Sequence, residues 1–126
     1  MNHKKYISAI LLIIVSCSFT AAQQIDRIFP YSNNDTTGVY LIFDGNIKYE
    51  KEIRQSPPSI SLLFPSTKLT EGNQQKMVDL PPLFRIEASE TAINRYLKNT
   101  KVDLYFYDIP EFRIDRIGEN ILRIIW

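Results

Sequence analysis

The sequence predicts an all-β fold, a small β-sandwich of two similar halves with one short helix. Val39, Leu41 and Phe43 alternate with other residues, and Val102, Leu104 and Phe106 repeat that alternation 63 residues later. Ile60, Leu62 and Phe64 are answered by Leu122, Ile124 and Trp126 at an offset of 62. Strict alternation marks a half-buried strand, because successive side chains point to opposite faces. Turn formers recur at short intervals between these runs, as they do in sandwiches and barrels. Two matched triplets in the same order read as an internal repeat. The plainer reading is chance, since apolar alternation is common in β proteins.

The first 22 residues read as an export signal. Lys4 and Lys5 form a positive start, Tyr6–Val15 an apolar run, and Thr20-Ala21-Ala22 a small-residue cleavage site before Gln23. The run is too short for a membrane-spanning helix, which needs about 20 residues. Ile14-Val15-Ser16-Cys17 also resembles a bacterial lipobox, in which Cys17 would become the lipidated first residue. Cleavage after Ala22 is the favoured reading, and the membrane is a partner only if Cys17 is lipidated. Either way the chain is expected to be exported.

Loss of that segment removes His3, Cys17, Lys4 and Lys5. Lys+Arg falls from 15 to 13 against 14 Asp+Glu, so the remaining single domain, residues 23–126, carries a net charge of −1. A nearly neutral chain offers no electrostatic reason to bind nucleic acid. Neither histidine nor cysteine remains, which removes disulfides, Ser-His and Cys-His nucleophile pairs and zinc sites built from those residues. The four glycines are not clustered into a phosphate loop. No cofactor and no metal is expected. The apolar fraction of 44% suits a globular chain held by its core alone.

In order, Gln24–Phe29 reads as a short first strand and Pro30–Gly38 as a loop of turn formers. Val39–Phe43 is a strand, and Asp44-Gly45-Asn46 predicts a hairpin into Ile47–Arg54, whose alternate residues are charged. Gln55–Ser59, with Pro57 and Pro58, should break the sheet before the apolar strand Ser59–Phe64. Pro65–Pro82 is the connector between halves, with a short strand at Lys76–Leu80. Leu83–Ala88 opens the second half. Ser89–Lys98 is the helix: Ser89 can cap it, Glu90 suits its positive end, and Ala92, Ile93, Tyr96 and Leu97 form a stripe. Lys101–Tyr107, Glu111–Arg116 and Ile121–Trp126 complete the strands, with turns at Asp108–Pro110 and Gly118–Asn120.

Catalysis is not expected. Glu87, Glu90 and Asp103 could supply a carboxylate pair for glycoside hydrolysis, but such a short chain leaves little room for a cleft. Binding is the better fit. If Val102, Leu104 and Phe106 face inward, Asp103, Tyr105 and Tyr107 face outward, and by the same parity so do Tyr40 and Ile42. Tyrosine offers a sugar ring an apolar body and a polar tip; cross-strand aromatic pairing is its other use. Arg85 and Arg95 could hold carboxylates bidentately or serve in surface ion pairs.

Taken together, Asp26–Trp126 resembles the AMIN domain, a small β-sandwich of bacterial envelope proteins. Val39–Phe43 with Lys48–Ile53 resembles its opening strands, and Gln55–Lys68 its proline-led strand and following turn. Leu83–Ile86 is similar to the central strand, Lys101–Phe106 to the next, and Gly118–Ile125 to the closing one. Ser59 and Lys101 stand where the family commonly has arginine. The resemblance implies a non-enzymatic module that binds peptidoglycan or its glycan strands, as in domains attached to cell-wall amidases and pilus secretins. Tyr40, Arg85, Arg95, Tyr105 and Tyr107 are the candidate contacts. The alternative is a protein-interaction module of an envelope assembly, recruiting a partner strand at a free sheet edge.

Overall fold

A computed structural model describes residues 23–126; the predicted signal segment, Cys17 included, lies outside them. Among the described residues, ten strands form two five-stranded sheets. They are β1 (Gln23–Ser32), β2 (Thr37–Asp44), β3 (Glu50–Gln55), β4 (Pro58–Phe64), β5 (Thr67–Leu69), β6 (Gln74–Leu80), β7 (Leu83–Ala92), β8 (Lys98–Phe106), β9 (Arg113–Ile117) and β10 (Ile121–Ile125). Sheet A runs β5-β1-β2-β10-β9 and sheet B runs β3-β4-β8-β7-β6. The alternating apolar residues of both sheets meet in one core. Val39, Leu41 and Phe43 come from sheet A, and Ile60, Leu62, Leu104 and Phe106 from sheet B; all are buried. The Phe43 and Phe64 rings, one from each sheet, lie 5.2 Å apart between centroids.

The two halves build equivalent sheets by exchanging strands. β2 pairs with β10, and β8 with β4, so each sheet takes two strands from each half and one edge strand, β5 or β6, from the connector. The registers agree pair by pair. Leu41 faces Leu122 as Leu104 faces Ile60, and Ile28 faces Leu41 as Ile86 faces Leu104. Arg123 faces Asp115 as Ser61 faces Glu52. Even the irregularity is repeated: the register slips between Ile25 and Arg27 on β1, and between Leu83 and Arg85 on β7. A bulge inserts one extra residue, so two consecutive side chains leave the core. Asp26 and Arg27 do so on β1, Phe84 and Arg85 on β7, while the flanking Ile25, Ile28, Leu83 and Ile86 stay buried. The correspondence ends at the outer edges. β5 runs parallel to β1 over three residues, whereas β6 runs antiparallel to β7.

Three sequence expectations are corrected. Asp44-Gly45-Asn46 does not close a hairpin: β2 and β3 lie in different sheets. The segment between them crosses the sandwich, anchored by buried Ile47, whose carbonyl accepts a bond from Arg116 Nη2 at 2.9 Å. Gln55–Ser59 does not break the sheet but turns tightly, with Gln55 opposite Pro58 in the β3–β4 hairpin. No helix occurs among the described residues. Ser89–Ala92 extends β7, pairing with Lys101–Lys98, and the chain turns through Ile93–Leu97. A short helix depends on packing its stripe, but Ile93 and Tyr96 are exposed. Instead Asn94 Oδ1 accepts the backbone N–H groups of Tyr96 and Leu97 at 2.8 and 3.0 Å, closing the turn.

Candidate functional site

Because the two sheets match position by position, their outer faces can be compared side chain by side chain. In sheet A the central rung reads Phe29, Tyr40, Arg123, Asp115 across β1, β2, β10 and β9. The matching rung of sheet B, across β7, β8, β4 and β3, reads Glu87, Asp103, Ser61, Glu52. One rung towards the bulges, Arg27, Ile42, Ile121 and Ile117 correspond to Arg85, Tyr105, Ser59 and Arg54. The faces have diverged. On these two rungs sheet A carries five aromatic and aliphatic side chains beside Arg27, Arg123 and Asp115, whereas sheet B carries only Tyr105 among charged residues and serines.

Sheet B's polar face is internally bonded. Ser61 Oγ donates to Asp103 Oδ1 at 2.5 Å, and Lys101 Nζ lies 3.6 Å from Asp103 Oδ2. Burying a carboxylate is costly unless it is paired, and these two partners meet that need. A shallow groove of about 250 Å³ opens above them, lined by Glu50, Glu52, Arg54, Ser61, Leu63 and Lys101.

At the bulge end of the same face lies an aromatic–arginine cluster. The Arg85 guanidinium carbon sits 4.1 Å from the Tyr105 ring centroid and 5.9 Å from that of Phe84. Phe84 stacks on Tyr107 with centroids 4.7 Å apart and planes 28° apart. Arg85 Nε is buried, lies 3.5 Å from Glu87 Oε1 and finds no hydrogen-bond partner among the described residues. Tyr105 donates its hydroxyl to Glu87 Oε2 at 3.3 Å. Burial and then the neighbouring carboxylates Asp103 and Glu87 push that hydroxyl above the ordinary phenol range, so it stays a neutral donor. Tyr107, 71% exposed, and Met77, 72% exposed, flank the cluster. Such a surface offers apolar ring faces beside hydrogen-bonding groups of both kinds.

The five candidate contacts therefore fall into three places. Arg85, Tyr105 and Tyr107 come together on sheet B. Tyr40 does not join them: it lies on sheet A, between Phe29 and Tyr31 at 5.5 and 5.2 Å, with Arg123 Nη1 3.5 Å from its hydroxyl. The parity of Tyr40 and Tyr105 is the same, but their strands belong to opposite sheets, so their outer faces point apart. Arg95 is exposed in the β7–β8 turn, ten residues along from Arg85. At about 3.3 Å per residue that is too distant for a shared ligand contact. The sequence reading passed over Phe84 because it treats Leu83–Ala88 as a regular strand. Only the bulge brings Phe84 out beside Tyr107.

Among the described residues, no group of three or more acidic, histidine or cysteine side chains is gathered as a metal site. Comparison with family models, with curated proteins and with solved structures finds no match.

Proposed function

We propose that this protein is an exported, non-enzymatic module of the bacterial cell envelope that binds peptidoglycan or its glycan strands through the outer face of sheet B. The observation that carries the reading is the Arg85 cluster, in which stacked, partly exposed rings adjoin the Arg85 guanidinium and the Glu87 carboxylate it is ion-paired with. A sugar ring laid on Phe84 and Tyr107 would bury its apolar face, while its hydroxyls would donate to Glu87. Arg85 would donate to its ring or acetamido oxygens. The groove above Ser61 extends the same polar face, which suits a chain of sugars better than a single one.

The exposed edges favour a face rather than an edge as the working surface. Every residue of β3 is exposed, and Glu50, Lys51, Glu52 and Arg54 lie along it. β9 carries Arg113, Asp115 and Arg116. Charges on edge strands discourage the addition of another strand. Co-sedimentation with purified sacculi tests the reading. The protein is expected in the pellet at low salt, with Phe84→Ala and Tyr107→Ala releasing it and Arg95→Ala leaving it bound. A wild-type protein that stays wholly in the supernatant would sink the proposal.

A further inference from the structure

The charges on the outer face of sheet B follow one rule. On three strands a cation pairs with a carboxylate two residues along the same strand: Arg54 with Glu52 at 3.4 Å, Arg85 with Glu87 at 3.5 Å and Lys101 with Asp103 at 3.6 Å. Residues two apart share a face, so all three pairs lie beside the aromatic cluster and the groove. The other cations of these strands have the opposite parity. Lys51 lies over the Phe112 ring, Lys76 Nζ donates to the Ile28 carbonyl, and Lys98 pairs with Glu90. Two more carboxylates of the face, Glu50 on β3 and Asp79 on β6, have no ion-pair partner among the described residues. The face is therefore net acidic. Its carboxylates also hold the middle: Glu87, Asp103 and Glu52 share one rung with Ser61, and the cations stand on the rungs either side.

We infer that this face selects uncharged sugars and rejects acidic ones, which rests on the glycan reading above and narrows it. An anionic ligand has to displace a resident carboxylate from each cation it uses, and Glu50 and Asp79 repel it. Laid across the middle of the face, it meets the carboxylate rung. A sugar hydroxyl both donates and accepts, so it can bond to either member of an ion pair without parting the two. An acetamido group does the same with its N–H and carbonyl. From β3 to β7 the pairs span three strand spacings of about 4.8 Å, roughly 14 Å of sheet. Several linked rings would cover that width and one would not.

Titration of the ¹⁵N-labelled protein with two soluble sugars tests this. One is the β-1,4-linked tetramer of N-acetylglucosamine, which is uncharged; the other is the tetramer of galacturonic acid. The neutral tetramer is expected to shift the amides of Ser61, Asp103, Tyr105 and Tyr107, and the acidic one to leave them in place. Affinity for the neutral tetramer should change less than about twofold between roughly 20 and 500 mM salt, because salt screens only charges. Glu50→Gln with Glu52→Gln, both exposed, frees Arg54 and removes a repelling charge. That variant should take the acidic tetramer about fivefold more tightly, the scale of an exposed ion pair. Equal or tighter binding of the acidic tetramer by the unchanged protein would overturn the inference, as would a loss of about tenfold for the neutral one at high salt. If neither tetramer binds while sacculi still carry the protein into the pellet, the charge selection falls and the envelope reading stands. A protein that binds the neutral tetramer yet stays in the supernatant with sacculi gives the reverse.

Discussion

Asp103 Oδ1 receives the Ser61 hydroxyl at 2.5 Å across the β4–β8 ladder, beneath an outer face on which Asp103 itself is only 7% exposed. Strand parity alone places Asp103 among the surface residues. Its neighbours Tyr105, Lys101 and Ser61 cover it.

Removing the hydroxyl should therefore cost more than a surface change. Ser61→Ala leaves a covered carboxylate with Lys101 alone, and an unsatisfied buried acceptor typically costs about 1–3 kcal/mol. Urea denaturation should show a lower midpoint with an unchanged slope. A wild-type midpoint in Ser61→Ala would mean that water replaces the hydroxyl freely.

Gly38 should tolerate no side chain. A Cβ there would lie 2.2 Å from the Ile124 carbonyl oxygen and 2.7 Å from Ile125 Cγ2. The oxygen belongs to the backbone of a central strand, so it cannot rotate aside as a side-chain tip can. Gly38→Ala is expected to destabilise by about 1–3 kcal/mol, the usual cost of overpacking, or more. Gly72→Ala offers the contrast, since no atom lies within 4 Å of its Cβ and the cost there is confined to its positive φ of 74°. Thermal melts of both variants separate crowding from backbone strain.

The matched halves make a further pair of changes informative. Leu41 and Leu104 are both fully buried and stand opposite Leu122 and Ile60 in equivalent registers. Leu→Ala in a core costs about 2–5 kcal/mol, with the spread set by how far the site can collapse. Leu41→Ala and Leu104→Ala should fall close together in that range. A large difference in denaturant midpoints would show that the two sheets share a register but not a packing.

Much of this fold was legible because alternation is a local property. Val39, Leu41 and Phe43 point inward together wherever β2 is placed, and their partners 63 residues on obey the same rule. Sheet membership is not local. Asp44-Gly45-Asn46 has the composition of a hairpin, and only the burial of Ile47 on the far side reveals a crossing. Ser89–Lys98 has helical spacing over ten residues, too few to be stable without packing. Its pairing with β8 depends on residues beyond that window, as do the bond from the Leu69 N–H to Glu90 Oε2 and that from the Glu90 N–H to Asn73 Oδ1. The candidate site follows the same division. Tyr105 and Tyr107 could be named from parity and Arg85 from the chemistry of its guanidinium, while the bulge that adds Phe84 and the sheet assignment that removes Tyr40 are long-range facts.

Acid should weaken the protein partly through Asp115. Its hydrogen bond from Arg123, bidentate at 2.5 and 3.2 Å, holds the carboxyl below the usual aspartate range. A depressed folded-state pKa stabilises above the unfolded value of about 3.9. That contribution is lost as pH falls through 3.9 towards the lower folded value. The Asp115 side chain is 33% exposed, so salt should shrink the effect. Denaturation at pH 7 and pH 3 is expected to show a smaller pH difference for Asp115→Asn than for the wild type. An identical difference would assign the acid sensitivity to other carboxylates.

Arg85 offers the sharpest test of the sheet B surface, because its charge and its shape can be separated. Arg85→Lys keeps a cation near Glu87 but loses the planar guanidinium that lies 4.1 Å from the Tyr105 ring centroid. Exposed cation–π contacts contribute about 0.5–1 kcal/mol, so Arg85→Lys should lose roughly that much stability. Sacculus binding should fall in Arg85→Lys, which loses the planar guanidinium donor to the sugar, and further in Arg85→Ala. If Arg85→Lys binds like the wild type while Arg85→Ala does not, charge alone would be what the surface uses. Stacked recognition of a sugar ring would then have to rest on Phe84 and Tyr107.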